Sequence, residues 1–292
     1  MRLLPLATAA LDAAGAQYSV RESASLEHAR ELAAAGAQRG DTVVAVGGDG
    51  LAGTLAGVVA AAGGTYGIIP AGRGNDMARV LGLPADTANA AGVLTGGRTR
   101  QVDLIGVSAA GRAESVVAGS VYAGIPSVAG EIANAMRWLK GPAVYPVAAL
   151  RALASWKPAM FRVKIGGGGS QPVVHDFPGY AVVVANFAYF GAGMMVAPPA
   201  RLDDGMLDVI LMRHGAKLAF VRVLMKIKDG SHVSLPLISL ERGAEVTLTA
   251  DRQMSPGADG EPIFPAPLAG GAALRIRALP SVLTVLAPVA GP

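Results

Sequence analysis

Apolar positions in the first hundred residues recur first at helical and then at strand spacing. Alanines 9, 10, 13 and 14 with Leu11 predict a helix over 3–14. A second helix over 25–35 opens at Ser25, with Glu27 and Glu31 toward its N-terminal part and Gly36 near its end. Between them QYSVRES, 17–23, reads as a candidate strand. An apolar strand over 42–46, an alanine-rich helix over 52–62, a short strand over 65–69 and a helix beginning over 75–81 come next. Residues 86–94 extend the helical set, and 98–107 begin strand material. Strand, helix, strand, helix is the pattern of a parallel sheet covered on both faces.

After about residue 100 the periodicity changes. Segments 114–122, 160–165, 180–186, 207–211, 233–240, 244–249 and 273–277 are short strand candidates separated by Gly, Pro or Asp, interrupted by helical stretches near 128–139, 143–155 and 216–227. This half is mostly β. GGGGS at 166–170 sits between strands of similar character and reads as a hairpin tip rather than a domain boundary.

Composition narrows the picture. Of 292 residues, 52% are hydrophobic, enough for a sizeable core, and cysteine is absent, so packing rather than disulfides must stabilise the chain and no thiolate can serve as nucleophile or zinc ligand. The four histidines are dispersed and lack HExxH spacing. The uncharged stretch 180–200 contains Asn186, two glycines and two prolines, which suits a buried strand and loop rather than a membrane span. Asp12 breaks the N-terminal apolar run, against an export signal. The net charge is only +4, yet 132–175 has no acidic residue and carries Arg137, Lys140, Arg151, Lys157, Arg162 and Lys164 beside Trp138, Tyr145, Trp156 and Phe161. Basic residues interleaved with aromatics suit an anionic membrane surface, or simply a solvated helical face. No helix-turn-helix, RNP or zinc-finger pattern accompanies them, so nucleic acid is not an expected partner.

Two glycine loops carry the candidate chemistry. VVAVGGDG, 43–50, ends an apolar strand in Gly47, Gly48, Asp49 and Gly50; IIPAGRGNDMAR, 68–79, ends the next in Gly72, Arg73, Gly74, Asn75 and Asp76. Glycines let a backbone approach an anion or ribose, and the following helices offer free N–H groups. Loops at consecutive strand ends would lie side by side on the carboxyl edge of a parallel sheet, where such folds hold ligands. Neither loop is GxGxxG or GxxxxGK[ST]. In ADGE, Asp259 and Glu261 are two apart, so on an extended segment both would face the same way.

GGDG followed by IPAGRGNDMARVLGLP closely resembles the catalytic domain of diacylglycerol kinase-like lipid kinases, a superfamily that includes sphingosine kinases and, more distantly, NAD kinases. The resemblance continues through LKGPAVYPVAALRAL at 139–153, the segment 182–212 and SPGADGEPIF at 255–264. It implies a three-layer α/β nucleotide domain over 1–105, with 280–292 returning to it, and a β-sandwich-like lipid domain over 106–279. The implied activity is ATP- and magnesium-dependent phosphorylation of the hydroxyl of diacylglycerol or a related lipid. Asp259 becomes the general base and Glu261 its support, with Asp49 organising nucleotide and magnesium. Asn75, Asp76 and Arg79 would contact the nucleotide. LDDGMLD matches a loop holding a structural magnesium, here through Asp204, Met206 and Asp208. A cytoplasmic location, peripheral at the inner membrane face, follows, and the oligomeric state stays open between monomer and homodimer.

The sequence departs from the family pattern in places. The family's usual opening strand and Asn-Pro glycine-rich loop are not found before the first helix; Leu51 stands where threonine is usual, Arg73 where a small residue is common, and Pro126 where an aspartate is frequent. These leave two alternatives open: a lipid-binding protein of the same fold with impaired catalysis, and an NAD kinase-like enzyme for a soluble substrate.

Overall fold

The computed structural model describes residues 3–72, 74–136, 144–167, 169–191 and 193–289. Arg73 and the basic-segment residues Arg137, Trp138 and Lys140 lie outside them.

The N-terminal half is a three-layer α/β unit. Strands Val43–Gly47 and Thr65–Pro70 pair in parallel, and Thr65–Pro70 pairs in parallel with the C-terminal part of Leu274–Ala287. Alternation along these strands sorts side chains to two faces. Ala45, Tyr66 and Ile68 pack with Ala29, Ala33, Leu55 and Val59 of helices Leu26–Gln38 and Asp49–Ala61. Val44, Val46 and Ile69 pack on the opposite side with Ala7 and Ala91 of helices Leu4–Ala13 and Thr87–Gly96. Alanine-rich helix faces allow this close approach. Ser25 accepts from the His28 N–H and Asp86 from the Asn89 N–H, so both polar residues act as N-caps.

The C-terminal half is built on long antiparallel strands. Ala159–Gly167 and Ser170–Ala185 form a hairpin in which Gly167 stands opposite Ser170 as its last pair, and Ser170–Ala185 also pairs with Ser120–Gly124 and Leu207–Arg213. Val182 and Val184 face one core with Phe161, Val209 and Leu248; Ala181, Val183 and Ala185 face another, covered by helices Ile125–Ala135, Val144–Ser155 and Lys217–Lys226. A sheet buried on both faces explains the uncharged run at 180–185. Among the described residues no helix is long and apolar enough to cross a membrane.

Leu274–Ala287 joins the halves. Its first part pairs with Glu245–Ala250, its last with Thr65–Pro70, and Arg98–Ala109 runs antiparallel beside nearly all of it. The register shifts between Leu279 and Leu283, where Ser281 adopts a φ of 53°. This bulge bends the strand from one half to the other. Asp103 holds it, accepting from the Ser281 N–H at 2.8 Å.

Three expectations need correction. Residues 17–23 form no strand: they are exposed throughout and no ladder partner reaches them. Within 233–240, Ser231–Ser234 is a 3₁₀ turn and the strand is Ile238–Gly243, because Pro236 cannot donate to a ladder and delays its start. Asp259 and Glu261 do not lie on one extended segment. Gly257–Ala258 and Glu261–Pro262 pair as a hairpin whose two-residue loop is Asp259 and Gly260, with φ of 47° and 96°. Asp-Gly with positive φ at both central positions is the tight-turn chemistry that a two-residue hairpin demands.

Candidate active site

The two glycine loops lie against each other, as their placement at consecutive strand ends requires. Ala71 donates its N–H to the Gly47 carbonyl at 2.8 Å, and a Cβ added to Gly72 would fall 2.4 Å from Gly48 Cα. Gly48 and Gly72 are therefore glycines because the loop backbones touch. Asn75, in the left-handed region at a φ of 53°, pins its loop by accepting from the Gly72 N–H at 2.9 Å and donating to the Gly72 carbonyl at 3.1 Å. Gly47, Gly48, Gly72 and Asn75 form the scaffold. Asp49, Gly50, Gly74 and Asp76 line a cavity of about 540 Å³. A Cβ at Gly50 would meet nothing within 4 Å, so the backbone there is open to an approaching ligand.

Asp49 begins the helix Asp49–Ala61 yet serves another: its Oδ1 accepts from the backbone N–H groups of Asp76 at 2.5 Å and Met77 at 3.3 Å. Asp76 is buried, and its Oδ1 accepts from the Gly193 N–H at 2.7 Å, reaching into the C-terminal half. Arg79 bonds the Gly74 carbonyl at 3.2 Å and lies over the Tyr189 ring at 5.4 Å. Leu51, the departure from threonine, packs where a Cβ on Gly47 would sit.

Asp259 faces this edge from the other half. Its carboxylate accepts from three successive backbone N–H groups, Ala118 at 2.9 Å, Gly119 at 3.0 Å and Ser120 at 2.8 Å. A Cβ on Gly119 would lie 2.7 Å from Asp259 Oδ1 and 2.6 Å from the Phe187 ring, so only glycine lets that backbone come so near. Enclosure in the cavity wall pushes the Asp259 pKa above the ordinary carboxylate range; the three N–H groups pull it back, and the negative charge of Asp49 pushes it up again. Glu261 also lines the cavity but is exposed.

Sequence reasoning missed the cradle of Ala118, Gly119 and Ser120, since backbone N–H groups leave no signature in residue type. Asn186 supports it. Buried, Asn186 donates its side-chain amide to the carbonyls of Asp103 at 2.8 Å and Ala118 at 2.9 Å, and its own N–H to the Gly119 carbonyl at 2.8 Å. The rest of the cavity wall is mostly apolar, with Ile125, Val183, Met212, Phe220, Val223 and Ile227 contributed by the second half beside Asn134, Tyr122, Tyr145 and Tyr189. Pro126 lies in the first turn of Ile125–Ala135, where proline is favoured, and faces this cavity.

Asp204, Met206 and Asp208 lie elsewhere, and none of them lines the cavity. The Met206 N–H closes a turn on Asp204 Oδ1 at 3.1 Å. The Arg242 guanidinium contacts Asp204, with its Nε 4.0 Å from Asp208 Oδ2. Burial raises the pKa of Asp208, Arg242 lowers it and Asp204 raises it. A guanidinium thus occupies the place between these carboxylates from which a hard cation would draw its oxygens, and the loop in this arrangement does not fit magnesium. The donor set beside the cavity differs: Asp49 and Asp259 repel each other there with no Lys or Arg of the described residues bonded to either, a pair suited to a magnesium ion carried by nucleotide phosphates through one or two carboxylates.

Glycine loops and carboxylates thus form one wall of the cavity and mostly apolar side chains the other. Residues 1–107 match the diacylglycerol kinase catalytic domain, and 119–287 match the YegS C-terminal NAD kinase beta sandwich-like domain. The chain belongs to the diacylglycerol kinase-like lipid kinase family. It is 32% identical over 266 residues to a diacylglycerol kinase of Mycobacterium tuberculosis, covering 89% of this chain and 81% of that one. It is 26% identical over 224 residues to a diacylglycerol kinase of Bacillus subtilis, covering 76% and 71%. A solved structure of a diacylglycerol kinase from Bacillus anthracis superposes with a TM-score of 0.70 at 21% identity, covering 98% of this chain and 90% of that one, and shows the shared fold.

Proposed function

We propose that this chain transfers the γ-phosphoryl group of ATP to the hydroxyl of diacylglycerol or a related lipid, with Asp259 as general base. The observation that carries the reading is the placement of Asp259: a carboxylate fixed by three backbone N–H groups, beside Asp49, on the wall of a largely apolar cavity. Acyl chains would lie among Val183, Met212, Phe220 and Val223, leaving the substrate hydroxyl to meet the carboxylate wall. Residues 1–105 with 280–292 would form the nucleotide half and 106–279 the lipid half.

Phosphoryl transfer depends on positioning and charge neutralisation more than on covalent chemistry. Asp259 accepts the hydroxyl proton, the alcohol oxygen forms its bond to the γ-phosphorus, and the bond from that phosphorus to the β–γ bridging oxygen breaks to release ADP. Gly50 leaves its backbone open to the phosphates, Gly74 lines the same cavity, and Asp49 fixes the two loops relative to each other. Magnesium, held with the phosphates beside Asp49, would supply positive charge at the transferring group. Glu261, at the hairpin exit, adds negative charge near the base. The setting is cytoplasmic, peripheral at the inner membrane face.

The experiment is transfer of labelled phosphate from ATP to diacylglycerol in mixed micelles with magnesium. Labelled phosphatidic acid supports the reading. Labelled NADP from NAD, with no lipid product, contradicts it, as does tight lipid binding without ATP binding.

A further inference from the structure

The helix Lys217–Lys226 has two faces with different surroundings. Phe220 and Val223 are buried and, with Leu224 and with Ile227 just beyond the helix, line the apolar cavity. On the opposite side Leu218 and Met225 are 69% and 76% exposed, the highest values among the exposed large apolar residues described. They are seven positions apart, two helical turns, so they project from one face, and Arg222 lies between them. Two such side chains held in water are unfavourable unless something covers them.

Charge indicates what that is. No acidic residue falls between Asp208 and Asp229, whereas Arg213, Lys217, Arg222, Lys226 and Lys228 all do. Asp229, the nearest acid beyond, is taken up by the N–H and hydroxyl of Ser231. Lys217 donates to the Ala154 carbonyl at 2.7 Å, fixing this helix against Val144–Ser155, whose Tyr145 is exposed and also lines the cavity. An apolar stripe interleaved with arginine and lysine and free of carboxylates is the chemistry of a helix lying in the interface of an anionic bilayer.

The geometry points to Lys217–Lys226 as the element that docks this protein on an anionic membrane, with Leu218 and Met225 entering the acyl boundary and Arg222 and Lys226 meeting the headgroups. This deepens the proposed lipid kinase reading and rests on it for one consequence: a lipid leaving the bilayer beside Leu218 would reach the cavity along the helix's other face. It also relocates the membrane contact expected over 132–175.

Sedimentation with vesicles tests it without requiring catalysis. The protein is mixed with vesicles of equal parts phosphatidylglycerol and phosphatidylcholine, or of phosphatidylcholine alone. Wild type is expected to sediment with the anionic vesicles, and Leu218→Gln/Met225→Gln and Arg222→Gln/Lys226→Gln each to lose at least about tenfold in partition. None of these four residues lines the cavity, so phosphorylation in neutral detergent micelles should be unchanged. Unchanged vesicle binding in both double variants overturns the proposal, as does equal wild-type binding to uncharged vesicles. A dimer that dissociates in Leu218→Gln/Met225→Gln while vesicle binding persists would assign the face to a second copy instead. Failure of the kinase assay alone, with vesicle binding behaving as expected, would count against the lipid kinase reading and leave the docking face standing.

Discussion

Asp49 Oδ1 accepts a hydrogen bond from the backbone N–H of Asp76 at 2.5 Å, joining the ends of two parallel strands through one carboxylate. Asp76 passes the connection to Gly193, so a single chain of bonds links both glycine loops to the C-terminal half. Replacing Asp49 with alanine removes a charge-assisted bond worth about 1.5–3 kcal/mol. The expected outcome is a loss of kcat/KM of roughly tenfold to a hundredfold, by the same free energy. Asp49→Asn, which keeps an acceptor, should fall between alanine and wild type in thermal stability, measured by unfolding of the purified variants.

The pH profile follows from the neighbourhood of Asp259. Burial raises its pKa and Asp49 raises it further, so the base is protonated and inactive at a higher pH than an ordinary carboxylate near 3.8. Activity should therefore fall on acidification with a midpoint above that value. In Asp49→Asn one source of the rise is gone, and the acid limb of kcat/KM against pH is expected to move to lower pH. A limb that stays in place would show that Asp49 does not act on the base.

Asn186 holds the backbone that holds the base. In Asn186→Ala, the buried carbonyls of Asp103 and Ala118 lose their amide donor, at a cost of about 1–3 kcal/mol for each group left unsatisfied. The denaturant midpoint should drop, and kcat should fall more than KM rises because Asn186 touches no substrate. Asn186→Asp, isosteric but without donors, should resemble alanine.

Legibility in the sequence divides along physical lines. Apolar period and glycine placement revealed the three-layer half, since helices and parallel strands write their burial into local spacing: Ala45 against Val44 and Val46 is an example. The two loops were readable because strand ends must bring Gly47–Gly50 and Gly72–Asp76 together. Strand pairing over long separations is not written locally: the return of 280–292 to the first half is implied only by the family resemblance, and nothing in the spacing itself announces that Leu274–Ala287 pairs beside Thr65. The Asp259 turn was missed because Asp-Gly was read for its carboxylate and not for its positive φ. The cradle at Ala118–Ser120 exists only once Gly119 lies beside Phe187 and Asp259.

The loop around Asp204 behaves differently with pH. Burial lifts the pKa of Asp208 above the ordinary 3.8, so its contribution to stability is greatest below that value and is lost as pH rises through the raised pKa. Arg242 opposes this rise. Removing it in Arg242→Ala should destabilise the protein more at pH 7 than at pH 4, with neutral-pH losses on the order of 1 kcal/mol because the arginine is partly exposed. Chelator should leave the wild-type unfolding midpoint unchanged, since the protein's own guanidinium closes the loop.

Asp259 bears the account's central claim. Purified wild type and Asp259→Asn, matched for fold by circular dichroism, are to be compared for phosphate transfer from ATP to diacylglycerol in mixed micelles. The asparagine keeps the size of the side chain and removes the base, so kcat is expected to fall by about a hundredfold or more while nucleotide binding persists. Transfer by Asp259→Asn at the wild-type rate would contradict the assignment of Asp259 as the group that takes the proton.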